Sequence, residues 1–159
     1  MLALAKTLGE LLLDHKLRCV VAESCTGGSL SAAMTDIPGS SQWFDRGFVT
    51  YSNTSKQQML GVPSRLIASE GAVSEAVVRA MAEGALAASS ANLSVAISGI
   101  AGPDGGSLEK PVGTVWFAWA SDSSLTQTQS DLLLGDRHAI RQQAVNIALE
   151  GLIQAVVAL

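Results

Sequence analysis

The segment RCVVAESCTGG, residues 18–28, joins a run of apolar and β-branched residues to a polar turn that contains two glycines. Its apolar part, Arg18–Ala22, predicts a buried strand, and Glu23–Gly28 predicts a turn that leads directly into a helix. We expect Thr26 to cap that helix, which continues to about Asp36. A strand that passes at once into a helix is typical of an α/β fold.

The same reading extends in both directions along the chain. Leucines at helical spacing predict a first helix that ends near His15, and two further helices begin at caps, one from Asn53 to Gly61 and one from Ser74 to about Ser89. Apolar residues between Ile140 and Ala155 predict a terminal helix. Four more strands are predicted at Phe48–Ser52, Leu93–Ser98, Val112–Ala120 and Leu125–Leu134. We therefore expect a three-layer α/β/α sandwich with a mixed sheet of about five strands, formed by one domain over residues 1–159.

Composition narrows the class of function. Charged residues make up 15% of the 159 residues and the net charge is −4, whereas soluble domains average about 25% charged residues. An acidic chain with few Lys and Arg residues is a poor ligand for a phosphate backbone, which argues against nucleic-acid binding. Sparse charge, together with an uncharged polar stripe formed by Gln142, Asn146 and Gln154, predicts a homodimer.

The two cysteines, Cys19 and Cys25, are too close in sequence to staple a loop-rich fold, so reduced thiols in a cytoplasm are the simpler interpretation. Lys6 and Glu10 interrupt the apolar start of the chain, which argues against a signal peptide. The final run, residues 144–159, has polar residues at helical spacing and predicts an amphipathic helix. We expect a cytoplasmic protein with no membrane partner.

Three loops carry candidate chemistry, because ligands in α/β sheets collect at the carboxyl ends of strands. The first loop places the Ser24 hydroxyl and the Cys25 thiol on a strand-to-helix turn, as nucleophile elbows do, although G-x-S-x-G is absent. The alternative is structural: Ser24 and Thr26 could simply bind the amides of a turn and a helix cap, and Cys25 could be a small buried apolar residue.

The second loop, residues 50–56, puts Lys56 in the first turn of a helix, where a positive charge is unfavourable. Burial and the helix field would lower the pKa of this lysine and supply a neutral amine as a base. A solvated surface lysine is the alternative, and packing accounts equally well for Tyr51, the only tyrosine.

The third loop, residues 98–106, has glycines that let backbone amides approach an anion or an oxyanion, although a plain wide turn would have the same sequence. Arg137 and Arg141 lie four residues apart on one face of the last helix. They could clamp a phosphate or be ordinary surface charges.

Other chemistries have less support in the sequence. His15 and His138 are the only histidines, and neither has metal-ligand spacing to the cysteines, so no metal and no cofactor is expected. Nothing in the spacing supports a dyad of Cys25 with His138. The residues alone thus indicate a possible serine–lysine hydrolase.

Long blocks at these loops resemble the CinA C-terminal domain family of nicotinamide mononucleotide amidases, and the resemblance spans nearly the whole chain. The blocks are AESCTGG at 22–28, GSSQWFDRGFVTYSN at 39–53, GAVSE at 71–75, SGIAGPDGG at 98–106, KPVGTVWFA at 110–118 and GDRHAIRQQA at 135–144. The resemblance implies a three-layer fold, a stand-alone amidase form, and hydrolysis of the nicotinamide carboxamide without a metal.

The resemblance also implies that Ser24, Tyr51 and Lys56 are the catalytic positions. We expect Lys56 to act as base and Tyr51 to relay a proton towards the departing ammonia. The expected substrate-binding residues are Cys25, Thr26, Gly27, Gly28, Arg46, Gly99, Ile100, Ala101, Gly102, Arg137 and Arg141. Two alternatives remain: a non-catalytic nucleotide-binding protein linked to competence, and an amidase of another pyridine amide.

Overall fold

Five strands form one sheet in the structure, a computed structural model that describes residues 1–159. In space the strands follow the order β2-β1-β3-β4-β5. β1 is parallel to both β2 and β3, whereas β3–β4 and β4–β5 are antiparallel pairs. The strand bounds are Cys19–Glu23 for β1, Phe44–Val49 for β2, Leu93–Gly99 for β3, Thr114–Ser121 for β4 and Gln127–Leu132 for β5.

Helices cover both faces of this sheet. The helix bounds are Leu2–Asp14 for α1, Ser29–Thr35 for α2, Asn53–Leu60 for α3, Ser64–Glu70 for α4, Glu75–Ala87 for α5 and Arg137–Val157 for α6. One apolar cluster joins α1, α2 and α6 to one face of the sheet, and a second joins α3, α4 and α5 to the other face. The α/β/α sandwich with a mixed five-stranded sheet, expected from the sequence, is confirmed.

The strand predicted at Phe48–Ser52 was placed too late in the chain. The observed β2 is an edge strand that ends at Val49, and all six of its residues are half-buried or exposed. Its first half contains Asp45, whose carboxylate forms an ion pair with Arg18 at 3.1 Å. Because charged residues interrupt the apolar pattern of this edge strand, the sequence did not predict its start. Thr50 leaves the strand but still donates its amide to the carbonyl of Glu23.

Helix starts were predicted with mixed success. Ser74 caps α5 as expected, with its hydroxyl accepting from the amide of Val77. The cap of α3 is Ser52 rather than Asn53, since the Ser52 hydroxyl accepts from the amide of Ser55. The short helix α4 was not predicted, because it starts after Pro63 without a side-chain cap. No helix combines the length and apolar character that crossing a membrane requires.

Candidate functional site

Ser24 is the first residue after β1, in the middle of the fold. Its amide donates to the carbonyl of Ile97 at 3.0 Å, which extends the pairing of β1 with β3 by one residue. Its side chain lines a cavity at the carboxyl ends of these strands, and the residue is only 8% exposed. The nucleophile predicted from the sequence thus lies where ligands collect in α/β sheets.

Lys56 reaches the same cavity from the opposite helical layer. It lies near the start of α3, and only 1% of the residue is exposed. Its Nζ lies 2.9 Å from Ser24 Oγ, 2.8 Å from the carbonyl oxygen of Thr50 and 3.3 Å from that of Tyr51. The structure therefore brings the predicted nucleophile and the predicted base into direct contact.

The environment of Lys56 makes its amine easier to deprotonate than that of an exposed lysine. Burial lowers the pKa of this lysine from 10.5 to about 8, because charging the amine away from water is costly. No carboxylate forms a salt bridge with Lys56 to offset that cost. A neutral Nζ has one lone pair, and it lies within hydrogen-bond distance of the Ser24 hydroxyl.

The cavity that contains this pair has a volume of about 280 Å³, near the lower end of the range for small-molecule sites. Its lining includes four residues predicted for the third loop: Gly99, Ile100, Ala101 and Gly102. The other lining residues are Ser24, Cys25, Tyr51, Asn53, Lys56, Ala72, Val73, Ser98, Asp104, Gly105 and Arg137.

Tyr51 and Arg137 form one wall of the cavity. Arg137 donates from Nη2 to the Tyr51 hydroxyl at 3.1 Å and from Nη1 to the carbonyl of Gly102 at 2.7 Å. The tyrosine is 59% exposed, and its hydroxyl makes no hydrogen bond to Ser24 or Lys56. The contact between Tyr51 and Lys56 runs through the backbone carbonyl of the tyrosine instead.

Cys25 follows Ser24 into the cavity but has the wrong protonation for a nucleophile. Burial raises the pKa of its thiol to about 11, so the thiolate is scarce at neutral pH. His138, the partner considered for a thiol dyad, is an exposed residue of α6 and does not line the cavity.

The Glu23 carboxylate occupies the start of α2. The sequence had predicted that Thr26 caps this helix and helps to bind a phosphate there. The fully buried carboxylate of Glu23 accepts from the amides of Gly28 and Leu30 and from both the amide and the hydroxyl of Ser31. The residue at the cap position is Gly28, with φ of +101°. A carboxylate of the protein thus takes the amide donors that an anion would need.

Arg141 and Arg46 also differ from expectation. Arg141 does not pair with Arg137 around a common site, because its donors bind the carbonyls of Cys25 and Thr26. Arg46 lies on β2 opposite Val20 and donates to Asp45 and to the carbonyl of Ala88 at the end of α5. Of the three predicted arginines, only Arg137 lines the cavity.

The chain is similar to known proteins over nearly its whole length. The family model described as the CinA C-terminal domain matches residues 1–156. The chain belongs to this family. It is 54% identical to the nicotinamide-nucleotide amidohydrolase PncC of Pseudomonas putida, over 95% of this chain and 94% of that protein. With the protein of the same name from Escherichia coli strain K12, identity is 53% over 97% and 93% of the two chains.

A solved structure shows the same architecture. The competence/damage inducible protein CihA from Agrobacterium tumefaciens superposes on this CinA domain with a TM-score of 0.94. The match covers 96% of this chain and 93% of that one at 44% identity. At this identity the likeness extends beyond the fold to the sequence itself.

Several cavity residues of this CinA domain were not singled out from the sequence as site residues: Asn53, Ala72, Val73, Ser98, Asp104 and Gly105. Asn53 was interpreted only as a helix cap. Ala72 and Val73 belong to a block that carried the family resemblance, and the carbonyl of Ala72 accepts from the Ser98 hydroxyl at 2.7 Å. That contact joins positions 26 residues apart, so no local pattern could have indicated it.

Two depressions elsewhere on the domain have more than twice the volume of the Ser24 cavity. One, of about 710 Å³, is bounded by α4, α5 and Trp116, and the other, of about 650 Å³, lies between α1 and Trp43. Neither contains a hydroxyl or thiol beside a buried base. The smaller cavity at Ser24 is therefore the candidate active site.

Proposed function

We propose that this chain is a nicotinamide mononucleotide amidohydrolase, which converts the carboxamide of the nicotinamide ring to the acid and releases ammonia. The observation that carries the proposal is the 2.9 Å hydrogen bond between Ser24 Oγ and the Nζ of buried Lys56. Two relatives that share more than half of their residues with the chain bear the name nicotinamide-nucleotide amidohydrolase. A serine beside a desolvated amine is chemically suited to attack an amide carbon.

In the acylation step, neutral Lys56 takes the Ser24 proton as Oγ bonds to the carboxamide carbon. The negative charge that develops on the carbonyl oxygen is stabilised by backbone amides near Ser24. When the tetrahedral intermediate collapses, the C–N bond breaks and the nitrogen leaves as ammonia after accepting, through Tyr51, the proton that Lys56 took from Ser24, which returns Lys56 to its neutral form. The product on the enzyme is an ester of Ser24.

Deacylation reverses these roles with water as the nucleophile. Lys56 takes a proton from water, the hydroxide attacks the ester carbon, and Ser24 recovers its proton as the acid leaves. The sum of the two steps is amide plus water giving acid plus ammonia. No step requires a metal or another cofactor.

Tyr51 is assigned the proton relay to the departing nitrogen. Because Arg137 donates to the oxygen of the tyrosine, the hydroxyl proton of Tyr51 is directed away from the arginine and is available to a group in the cavity. Tyr51 lines the same cavity as Ser24 and Lys56, which supports this assignment.

Arg137 is assigned to the phosphate of the substrate. Among the arginines it alone lines the cavity, and its two observed hydrogen bonds leave three of its five N–H donors available. Glu23 occupies the start of α2, and Arg141 is bound to backbone carbonyls, so neither offers a competing anion site. We place the reaction in the cytoplasm, where free thiols such as Cys19 and Cys25 are stable.

The test is ammonia release from nicotinamide mononucleotide by the purified protein and by Ser24→Ala. We expect the wild type to release ammonia and the variant to lose at least about ten-thousandfold in kcat, while calorimetry shows that it still binds the mononucleotide. Binding without turnover in the wild type would favour a nucleotide-binding protein. Faster turnover of another pyridine amide, in a small panel, would favour the other alternative.

A further inference from the structure

Arg141 of α6 is bound to the loop that follows Ser24, although 116 residues separate it from Cys25. Its Nε donates to the carbonyl of Cys25 at 3.0 Å, and its Nη2 donates to the carbonyl of Thr26 at 3.0 Å and to the Ser29 hydroxyl at 3.1 Å. These are charge-assisted hydrogen bonds in a partly buried position, the stronger class of such contacts.

The carbonyls that Arg141 binds determine where the neighbouring amides point. In a trans peptide the C=O and the N–H lie on opposite sides of the C–N bond. Because the Cys25 carbonyl is directed at Arg141, the amide of Thr26 is directed away from it. The preceding peptide is fixed separately, since the Ser24 carbonyl accepts from the amide of Gly27 at 3.1 Å.

The amides that this arrangement orients have no acceptor within the protein. The N–H groups of Cys25 and Thr26 donate to no backbone carbonyl and to no side chain of another residue, although Thr26 is a completely buried residue and Cys25 nearly so. Unpaired buried amides are rare because each one costs free energy. Two of them, directly after a nucleophile, are the donors that a developing oxyanion requires.

The loop needs an external support to keep this orientation. Gly27 and Gly28 follow directly, both with positive φ, and glycines leave the backbone many accessible conformations. If the peptide between Cys25 and Thr26 turned over, a carbonyl oxygen would replace the amide and repel the oxyanion. Arg141 opposes that rotation, because turning the peptide would remove its Cys25 acceptor.

We infer that Arg141 is a positioning residue for the amide-hydrolysing reaction: it holds the peptide between Cys25 and Thr26 so that the Thr26 amide, next to that of Cys25, donates to the oxyanion, and it does not bind the substrate phosphate. The inference rests on the proposed function for its natural substrate. The nucleophile Ser24 and the loop geometry are independent of which amide or ester is cleaved.

The experiment compares Arg141→Met, Arg141→Lys and the surface control Arg79→Met in two assays. One assay follows ammonia release from nicotinamide mononucleotide, and the other follows release of p-nitrophenol as Ser24 is acylated by p-nitrophenyl nicotinate. We expect Arg141→Met to lose on the order of a hundredfold in kcat and in acylation rate, with KM within about threefold. Arg141→Lys, whose ammonium also donates to carbonyls, should recover part of the rate, and Arg79→Met should match the wild type.

Three results would overturn the inference. The first is an unchanged acylation rate in Arg141→Met. The second is a rise in KM with kcat unchanged, which would make Arg141 a substrate-binding residue. The third is equal loss in the lysine and methionine variants together with a lower thermal midpoint, which would make its role purely structural. If the wild type acylates with the ester but does not release ammonia from the mononucleotide, the proposed function fails while the ester assay still decides the role of Arg141.

Discussion

Lys56 shows how much the sequence position of a single residue can reveal. A lysine in the first turn of a helix breaks a local electrostatic preference, and the structure shows the reason: its Nζ is buried against Ser24 Oγ. The contact partners of Arg141 were beyond such reasoning, since they come from a loop more than a hundred residues earlier in the chain. An unfavourable charge within one helix can be recognised from the sequence, whereas a contact between distant loops cannot.

The pH dependence of turnover should report the state of Lys56. Because burial holds its pKa at about 8, the lysine is mostly protonated at pH 7 and mostly neutral at pH 9. Only the neutral amine accepts the Ser24 proton, so kcat/KM should rise through pH 8 and level off above about pH 9. The measurement is ammonia release between pH 6 and 10.

Lys56→Arg is the matched control, because a guanidinium stays charged across this whole range. This variant should be inactive at every pH and show no rising limb. A wild-type profile that is flat between pH 7 and 9 would contradict the assignment of Lys56 as base.

Arg137 carries the prediction about substrate recognition. Replacing it with glutamine removes the cation that lines the cavity and should raise KM for the mononucleotide by about tenfold to a hundredfold, since charged hydrogen bonds contribute about 1.5–3 kcal/mol. KM for nicotinamide riboside, which lacks the phosphate, should change by less than threefold. Equal increases in KM for both substrates would contradict the assignment of Arg137 to the phosphate.

At the scale of elements, Gly84 of α5 lets this helix pack closely against the end of α3, the helix that contains Lys56. Helix propensity alone favours Gly84→Ala by about 1 kcal/mol. A Cβ at this position would lie 2.0 Å from the carbonyl oxygen of Leu60, the last residue of α3. Overpacking typically costs about 1–3 kcal/mol, so the variant should be destabilised and, because α3 must shift, less active.

Urea unfolding and ammonia release measure these two effects of Gly84→Ala. Glu83→Gln, at an exposed neighbour on the same helix, keeps an acceptor for the Thr126 hydroxyl; it is the control and should change stability by less than about 0.5 kcal/mol. An alanine at position 84 that stabilises the protein would show that α3 and α5 adjust freely to each other.

Elements with strong periodicity were predictable, and elements defined by their neighbours were not. The end of α1 near His15 and the span of α5 from Ser74 follow from apolar spacing and caps. The position of β2 depends on pairing with β1, and the start of α2 depends on a carboxylate that precedes the helix by several residues. Pairing partners of this kind are set by tertiary structure, so local patterns placed β2 and the α2 cap wrongly.

For the whole molecule, the homodimer stays a prediction. The polar stripe on which it was based is partly internal, because Gln142 and Asn146 are half-buried and only Gln154 is exposed. Leu132 and Leu134, which precede α6, add exposed apolar surface; they are 57% and 76% exposed. Sedimentation velocity should give a dimer at micromolar concentration, and a monomer at every concentration would contradict it.

The two halves of the reactive pair come from opposite sides of the sheet. The Ser24 loop continues into α2, in one helical layer, while Lys56 belongs to α3, in the other. A nascent chain, or one with a single layer docked, has a hydrated lysine that retains its proton and an unassisted hydroxyl. Under the proposed mechanism such a chain does not hydrolyse amides, so we expect activity only after both helical layers have packed onto the sheet.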